Sequence, residues 1–219
     1  MYIESHLLIG LGDASKEILD ACREYDPMPG VVEFVHIGLY EDEWVDEQEV
    51  INRIESKYKE LEAAYERGGL SVHIFAGLPD TKDAHHITWL IQLIRRTLPK
   101  FRLLVYVLLL NSMNRAALAN VEAARHAFSQ PRCWGHDNFA LFLYAEQNEY
   151  GYTISRSVLA RMVADAVYFR IHNQRMPGFH FYAGEQFFNS GSSMQDNTAN
   201  SLGMVRIVYP EKQLCEHIV

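Results

Sequence analysis

The sequence predicts an α/β domain with a mostly parallel central sheet and helices on both faces. Three observations lead there. Short apolar runs rich in β-branched and aromatic residues alternate with segments of helical periodicity, the order that builds parallel strands joined by crossover helices. The most apolar run, FRLLVYVLLL at residues 101–110, lacks the polar–apolar alternation of a half-exposed strand and suits one covered on both faces. The first run, HLLIG at residues 6–10, passes directly into a glycine turn and a helical pattern.

In chain order, residues 6–10 are the first strand, and Ile18, Leu19 and Cys22 then recur on one helical face. PMPG at 27–30 interrupts the chain before VVEFVHIGL at 31–39, the second strand. The acidic run at 40–49 opens a helix carried to about residue 67, its carboxylates suited to the positive end of the helix dipole. Gly68 and Gly69 are expected to end that helix, as glycine does at C-termini. Residues 72–76 read as the third strand, 77–80 as a tight turn, and the residues up to Leu98 as a long helix closed by Pro99. After the strand at 101–110, residues 115–128 form an Ala-rich helical pattern suited to close packing, and 138–145 (NFALFLYA) a fifth strand. Ile154, Val158, Met162, Ala166 and Phe169 then mark a helix over about 154–171. Residues 179–200 are rich in aromatics, Ser, Asn, Gln and Gly and read as a long functional loop before a last strand at 202–209. The expected organisation is an α/β core at 1–176, with 177–219 as a polar and aromatic loop plus a terminal strand completing the same domain.

Of the 219 residues 48% are hydrophobic and 22% charged, which is enough apolar material for one sizeable core. The net charge of −8 argues against a basic nucleic-acid surface. Cys22, Cys133 and Cys215 have no short spacing, which fits reduced thiols rather than a disulfide framework or a zinc site. The N-terminus carries Glu4 early and is not read as a signal peptide. No apolar run approaches the roughly 20 residues of a membrane helix. The expectation is a cytoplasmic protein that neither binds nucleic acid nor inserts into membrane.

Two turns are candidates for chemistry. A strand that turns at once into a helix presents free backbone N–H groups that attract anions. Gly10-Leu11-Gly12-Asp13 does so with a GxG, and the third glycine of the dinucleotide fingerprint would fall at Ser15. Gly77 opens the second turn. A plain strand-to-helix turn remains an equal reading of the first. Glu41 and Asp42 lie where a ribose-binding carboxylate follows the second strand in Rossmann proteins, though a solvated acidic face explains them as well. His85 and His86 are adjacent, so they diverge on a helix and read as surface plus one half-buried ring rather than metal ligands. His36, His73 and His126 read as core or surface histidines, and Ser15 and Ser155 lack the context of an activated nucleophile. No catalytic residue and no metal ligand is assigned.

The order of HLLIGLGDASKEILDACRE, VHIFAGLPDTKDAHHITWLIQLIRRTLP, VYVLLLNSMNRAALANVEAARHAF, LYAEQNEYGYTIS and SLGMVRIVYPEKQL resembles that of the bacterial tubulin-like proteins, relatives of tubulin and of the cell-division GTPase FtsZ. The resemblance implies a tubulin/FtsZ-like, Rossmann-like nucleotide-binding topology. It assigns Gly10, Gly12, Asp13, Gly77, Thr81 and Lys82 to a nucleotide, if one is still bound, with Asn148 at the guanine base. The family's signature loop is GGGTGSG, whereas this chain has Ala76-Gly77-Leu78-Pro79-Asp80-Thr81-Lys82. Pro79 removes an N–H donor, and Asp80 and Asp83 bring negative charge that Lys82 offsets only in part. Hydrolysis in the family also uses an acidic segment from the second half of a neighbouring subunit, for which this chain is expected to be too short. The resemblance therefore implies a degenerate domain: a non-catalytic scaffold or interaction subunit of a larger assembly, partnered by other protein subunits or by itself, with GTP or no cofactor. A GTP-binding, filament-forming GTPase and a small Rossmann-like nucleotide-dependent enzyme are the alternatives.

Overall fold

A computed structural model describes residues 3–25, 31–39, 46–64, 67–77, 81–98, 101–109, 139–145, 153–173 and 204–208. In chain order the elements are β1 (Ile3–Leu11), α1 (Asp13–Glu24), β2 (Val32–Ile37), α2 (Glu47–Ala64), β3 (Arg67–Gly77), α3 (Thr81–Thr97), β4 (Arg102–Leu109), β5 (Phe139–Ala145), α4 (Arg156–Asn173) and β6 (Met204–Val208). The strands form one sheet in the order β2-β1-β3-β4-β5-β6, and every pairing is parallel. The predicted α/β class, with its parallel sheet and helices on both faces, is the observed one. The expected helix at 115–128 and loop at 179–200 lie outside the described residues, as do Cys133 and Cys215.

Alternation along each strand sorts the side chains into two cores. Leu7, Ile9 and Leu11 of β1 join Val72, Ile74 and Ala76 of β3 and Leu103, Val105 and Val107 of β4 on one face. There α2 contributes Val50, Ile54 and Leu61, and α3 contributes Ile87, Leu90, Ile91 and Ile94. These positions recur every three or four residues, which gives each helix one apolar stripe toward the sheet. Leu8, Phe75, Leu104 and Tyr106 point to the opposite face, beneath Ile18, Leu19 and Cys22 of α1 and Leu159, Val163 and Val167 of α4. Full burial of an aliphatic side chain contributes about 1.5–3 kcal/mol, so these two stripes per face dominate the cohesion of the layers.

Polar contacts fix the helices further. The Ser155 hydroxyl accepts from the Val158 N–H at 3.4 Å and its carbonyl accepts from the Leu159 N–H at 3.0 Å, capping α4. Arg161 of α4 pairs with Glu24 of α1 and lies 5.0 Å above the Tyr25 ring, which stacks on Tyr168. On the other face Glu47 of α2 accepts from Trp89 and Arg96 of α3.

One boundary differs from the sequence expectation. Gly68 and Gly69 do not close α2, which stops at Ala64, but lie inside β3. Ile3 pairs with Arg67 and Glu4 with Gly69, so Gly68 is an extra residue and the ladder is bulged. Gly69 has φ +152, a conformation that favours glycine. The glycines serve a bulge rather than a helix end, and β3 is accordingly longer than the expected 72–76.

Candidate functional site

In an open parallel sheet ligands bind at the carboxyl ends of the strands, where neighbouring strands connect in opposite directions. Here that point lies between β1 and β3. The chain leaves β1 through α1 on one face to reach β2, while α3 leaves β3 on the other face to reach β4. Leu11 pairs with Ala76, so the turn after β1 and the end of β3 stand side by side. Gly12 and Gly77, chosen from sequence as candidate site residues, therefore each follow one member of that pair at the switch point.

The first turn is a single residue. β1 ends at Leu11, α1 begins at Asp13, and Gly12 is the helix N-cap. Its φ of 75 with ψ of 177 is a region reserved almost wholly for glycine. The Gly12 N–H donates to the Ile37 carbonyl at 2.9 Å. The Gly12 carbonyl accepts from the Ser15 hydroxyl at 2.6 Å and from His36 Nε2 at 3.1 Å, which makes Nε2 the protonated nitrogen of that ring. In a trans peptide the next N–H points opposite the carbonyl. Pinning the Gly12 carbonyl therefore fixes the direction of the Asp13 N–H as well. Gly12 offers α1 no side-chain cap, so among the described residues the amides of its first turn keep their donor capacity.

Gly10 has a different task. A Cβ there would lie 2.6 Å from Leu19 Cδ1 and 2.7 Å from Ser15 Oγ. Gly10 is thus what allows α1 to lie against β1, and Ser15, small and fully buried, sits where the missing third glycine of the fingerprint was sought. Over Gly12 there is more room: the nearest atom to an added Cβ is Leu39 Cδ1 at 3.6 Å. Leu39 follows β2 and packs against the α2–α3 core.

Asp13 is exposed at the first position of α1, and among the described residues its carboxylate has no hydrogen-bond or ion-pair partner. Gly77 is buried as the last residue of β3, and Thr81 and Lys82 are the first two residues of α3. Asn148, Glu41, Asp42, Pro79 and Asp80 lie outside the described residues. His85 is exposed and His86 half-buried, as their adjacency on a helix implied. No group of three or more His, Cys, Asp or Glu among the described residues is arranged to hold a metal ion, and no described helix is long and apolar enough to cross a membrane.

The sequence reading missed His6. It lies in β1 with 1% of its surface exposed, and its Nδ1 is 3.2 Å from Nε2 of the equally buried His73 in β3. The available signal was parity: both histidines fall in apolar strands on the positions that alternate toward the same face.

No protein-family model and no curated protein matches the chain. Among solved structures it is similar to CetZ from Methanosaeta thermophila strain DSM 6194, with a TM-score of 0.51 and 12% sequence identity. The likeness covers 84% of this chain and 58% of that one, so the chain spans somewhat more than half the length of that structure. At this identity the likeness carries the fold alone, a tubulin/FtsZ-like α/β topology.

Proposed function

We propose that this chain is a tubulin/FtsZ-fold subunit that works through protein–protein contacts and does not turn over GTP. The observation that carries the reading is Asp13, an exposed carboxylate on the first residue of α1 that has no partner among the described residues, beside the amides that would receive a phosphate. Two like charges about 4 Å apart repel by roughly 1 kcal/mol in water and about 4 kcal/mol at the effective dielectric of a protein surface. Each phosphate oxygen drawn to that turn meets this opposition. After the neighbouring strand the sequence carries Pro79, Asp80 and Asp83 where the family's glycine-rich loop would offer N–H donors. Gly10, the first half of the GxG, is accounted for by helix packing and needs no ligand.

In this reading Gly10, Gly12, Gly77 and the α3 start retain the architecture of a nucleotide site, and the chain contributes surfaces to a cytoplasmic assembly of other subunits or of copies of itself. Residues 1–176 and 177–219 act as one domain, which the parallel pairing of β6 onto β5 supports.

A second reading, a GTP-binding subunit that forms filaments, is favoured by the position of Gly12 and Gly77 just after the paired Leu11 and Ala76 at the switch point, with Gly12 offering α1 no side-chain cap. Analytical sedimentation of the full chain with and without GTP and magnesium separates the two. The proposed reading expects identical profiles; GTP-dependent polymers that disappear in Gly77→Asp establish the second.

A further inference from the structure

Across the middle of the sheet, on the face covered by α1 and α4, runs a row of buried polar rings. His6 Nδ1 lies 3.2 Å from His73 Nε2, and His73 Nδ1 lies 3.3 Å from Tyr106 Oη. The Tyr106 ring stacks on Phe75 and Tyr144, with centroids 5.1 Å and 6.5 Å away. His6, His73 and Tyr106 belong to the adjacent strands β1, β3 and β4 and are at most 1% exposed. The row therefore stitches together three adjacent strands across a largely apolar layer.

Valence limits how many protons the row holds. In the neutral pair one facing nitrogen donates and the other accepts. One added proton is accommodated: His73 as imidazolium donates from Nε2 to His6 Nδ1 and from Nδ1 to Tyr106 Oη, and both contacts persist. A second proton, on His6 Nδ1, sets N–H against N–H at 3.2 Å. The titratable and charged groups on this face, among the described residues, include Glu4 of β1, Arg102 and Tyr106 of β4, Tyr144 of β5, Cys22 and the exposed Asp20–Arg23 pair of α1, Asp165 and Tyr168 of α4, Tyr25 just after α1, and the exposed Glu24–Arg161 pair. Glu4 accepts from Ser71, the register partner of His6, and faces Arg102 at 3.8 Å, so it is already engaged. Burial keeps the Cys22 thiol protonated.

We propose that the His6–His73–Tyr106 row is a proton-sensitive latch: it ties β1 to β3 and β4 while it carries no more than one extra proton, and releases them when a second arrives. Gly10 lies on the same strand as His6 and the Gly12 turn directly follows that strand, so release loosens the seat of the switch-point turn. Acidification thereby acts on the site from within the core.

The unfolded chain protonates both imidazoles near the ordinary value of about 6.5, and the native row takes one proton fewer. Stability therefore falls as the pH drops through that value. For one withheld proton the ratio of folded to unfolded protein falls about tenfold between pH 7.5 and 5.5.

The test is urea unfolding of the full chain at both pH values, in the wild type and in His6→Asn. Asparagine places an amide atom near the position of Nδ1 and does not titrate, while every other histidine contributes equally to both proteins. The wild type is expected to lose about tenfold more than His6→Asn over this interval. Equal pH dependence in the two overturns the proposal. Should His6→Asn fail to fold, an NMR titration of the wild-type imidazole Cε1–H resonances decides. Uptake of one proton by the pair while β1 and β3 amides stay protected is expected; uptake of two with protection intact overturns it.

Discussion

Replacing Gly10 with alanine separates two tasks that a glycine at the end of a strand can perform. If Gly10 lets α1 lie against β1, a methyl group there must displace Leu19 or Ser15, 2.6 Å and 2.7 Å away. Both neighbours are fully buried, so neither swings into solvent. Overpacking of this kind costs about 1–3 kcal/mol. In a chain of this length each kcal/mol lowers Tm by about 2–4 °C. The assay is urea unfolding of Gly10→Ala, Leu19→Ala and the double variant. Leu19→Ala alone leaves a cavity and costs about 2–5 kcal/mol. It also removes the atom nearest the new methyl, so the double variant is expected to be more stable than the sum of the singles by about 0.5–3 kcal/mol. Strict additivity, or unchanged stability in Gly10→Ala, would refute the assignment of Gly10 to packing and return it to a ligand.

One further substitution and one chemical modification probe the same region. Gly12→Ala has room for its methyl but not the backbone conformation, and is expected to cost about 1–3 kcal/mol in urea unfolding; no loss would contradict the φ of 75. The Cys22 thiol is pushed up to about 12, mainly by burial, with Arg23 opposing and Asp165 adding to the shift. Iodoacetamide at pH 8 should leave it unmodified in the native protein and alkylate it in urea, as read by peptide mapping. Because its value is raised from 9.0 on folding, its contribution to stability is complete below pH 9 and is lost as the pH rises toward about 12.

The sheet was readable from the sequence because period and composition are local. The uninterrupted apolar run that became β4 announced a strand covered on both faces, and the turn after β1 announced a helix. Gly68 and Gly69 were misread because a glycine pair after a helical pattern looks alike whether it caps the helix or bulges the next strand. Only the pairing of Ile3 with Arg67 and of Glu4 with Gly69 distinguishes the two. The GxG was visible, but its division of labour was not. The role of Gly10 depends on how closely Leu19 and Ser15 approach, and that of Gly12 on a backbone angle. His6 and His73 stand 67 positions apart, and nothing but strand register brings them into contact. The ribose and guanine candidates, Glu41, Asp42 and Asn148, fall outside the described residues.

The central claim is that the switch point keeps the form of a nucleotide site while Asp13 and the glycine-poor second turn oppose a polyphosphate. Isothermal calorimetry of GTP with magnesium into the full chain tests it most directly. The expected result is no saturable heat at micromolar concentrations in the wild type. Saturable micromolar binding that is lost in Gly77→Asp would contradict the claim and make this chain a working nucleotide binder.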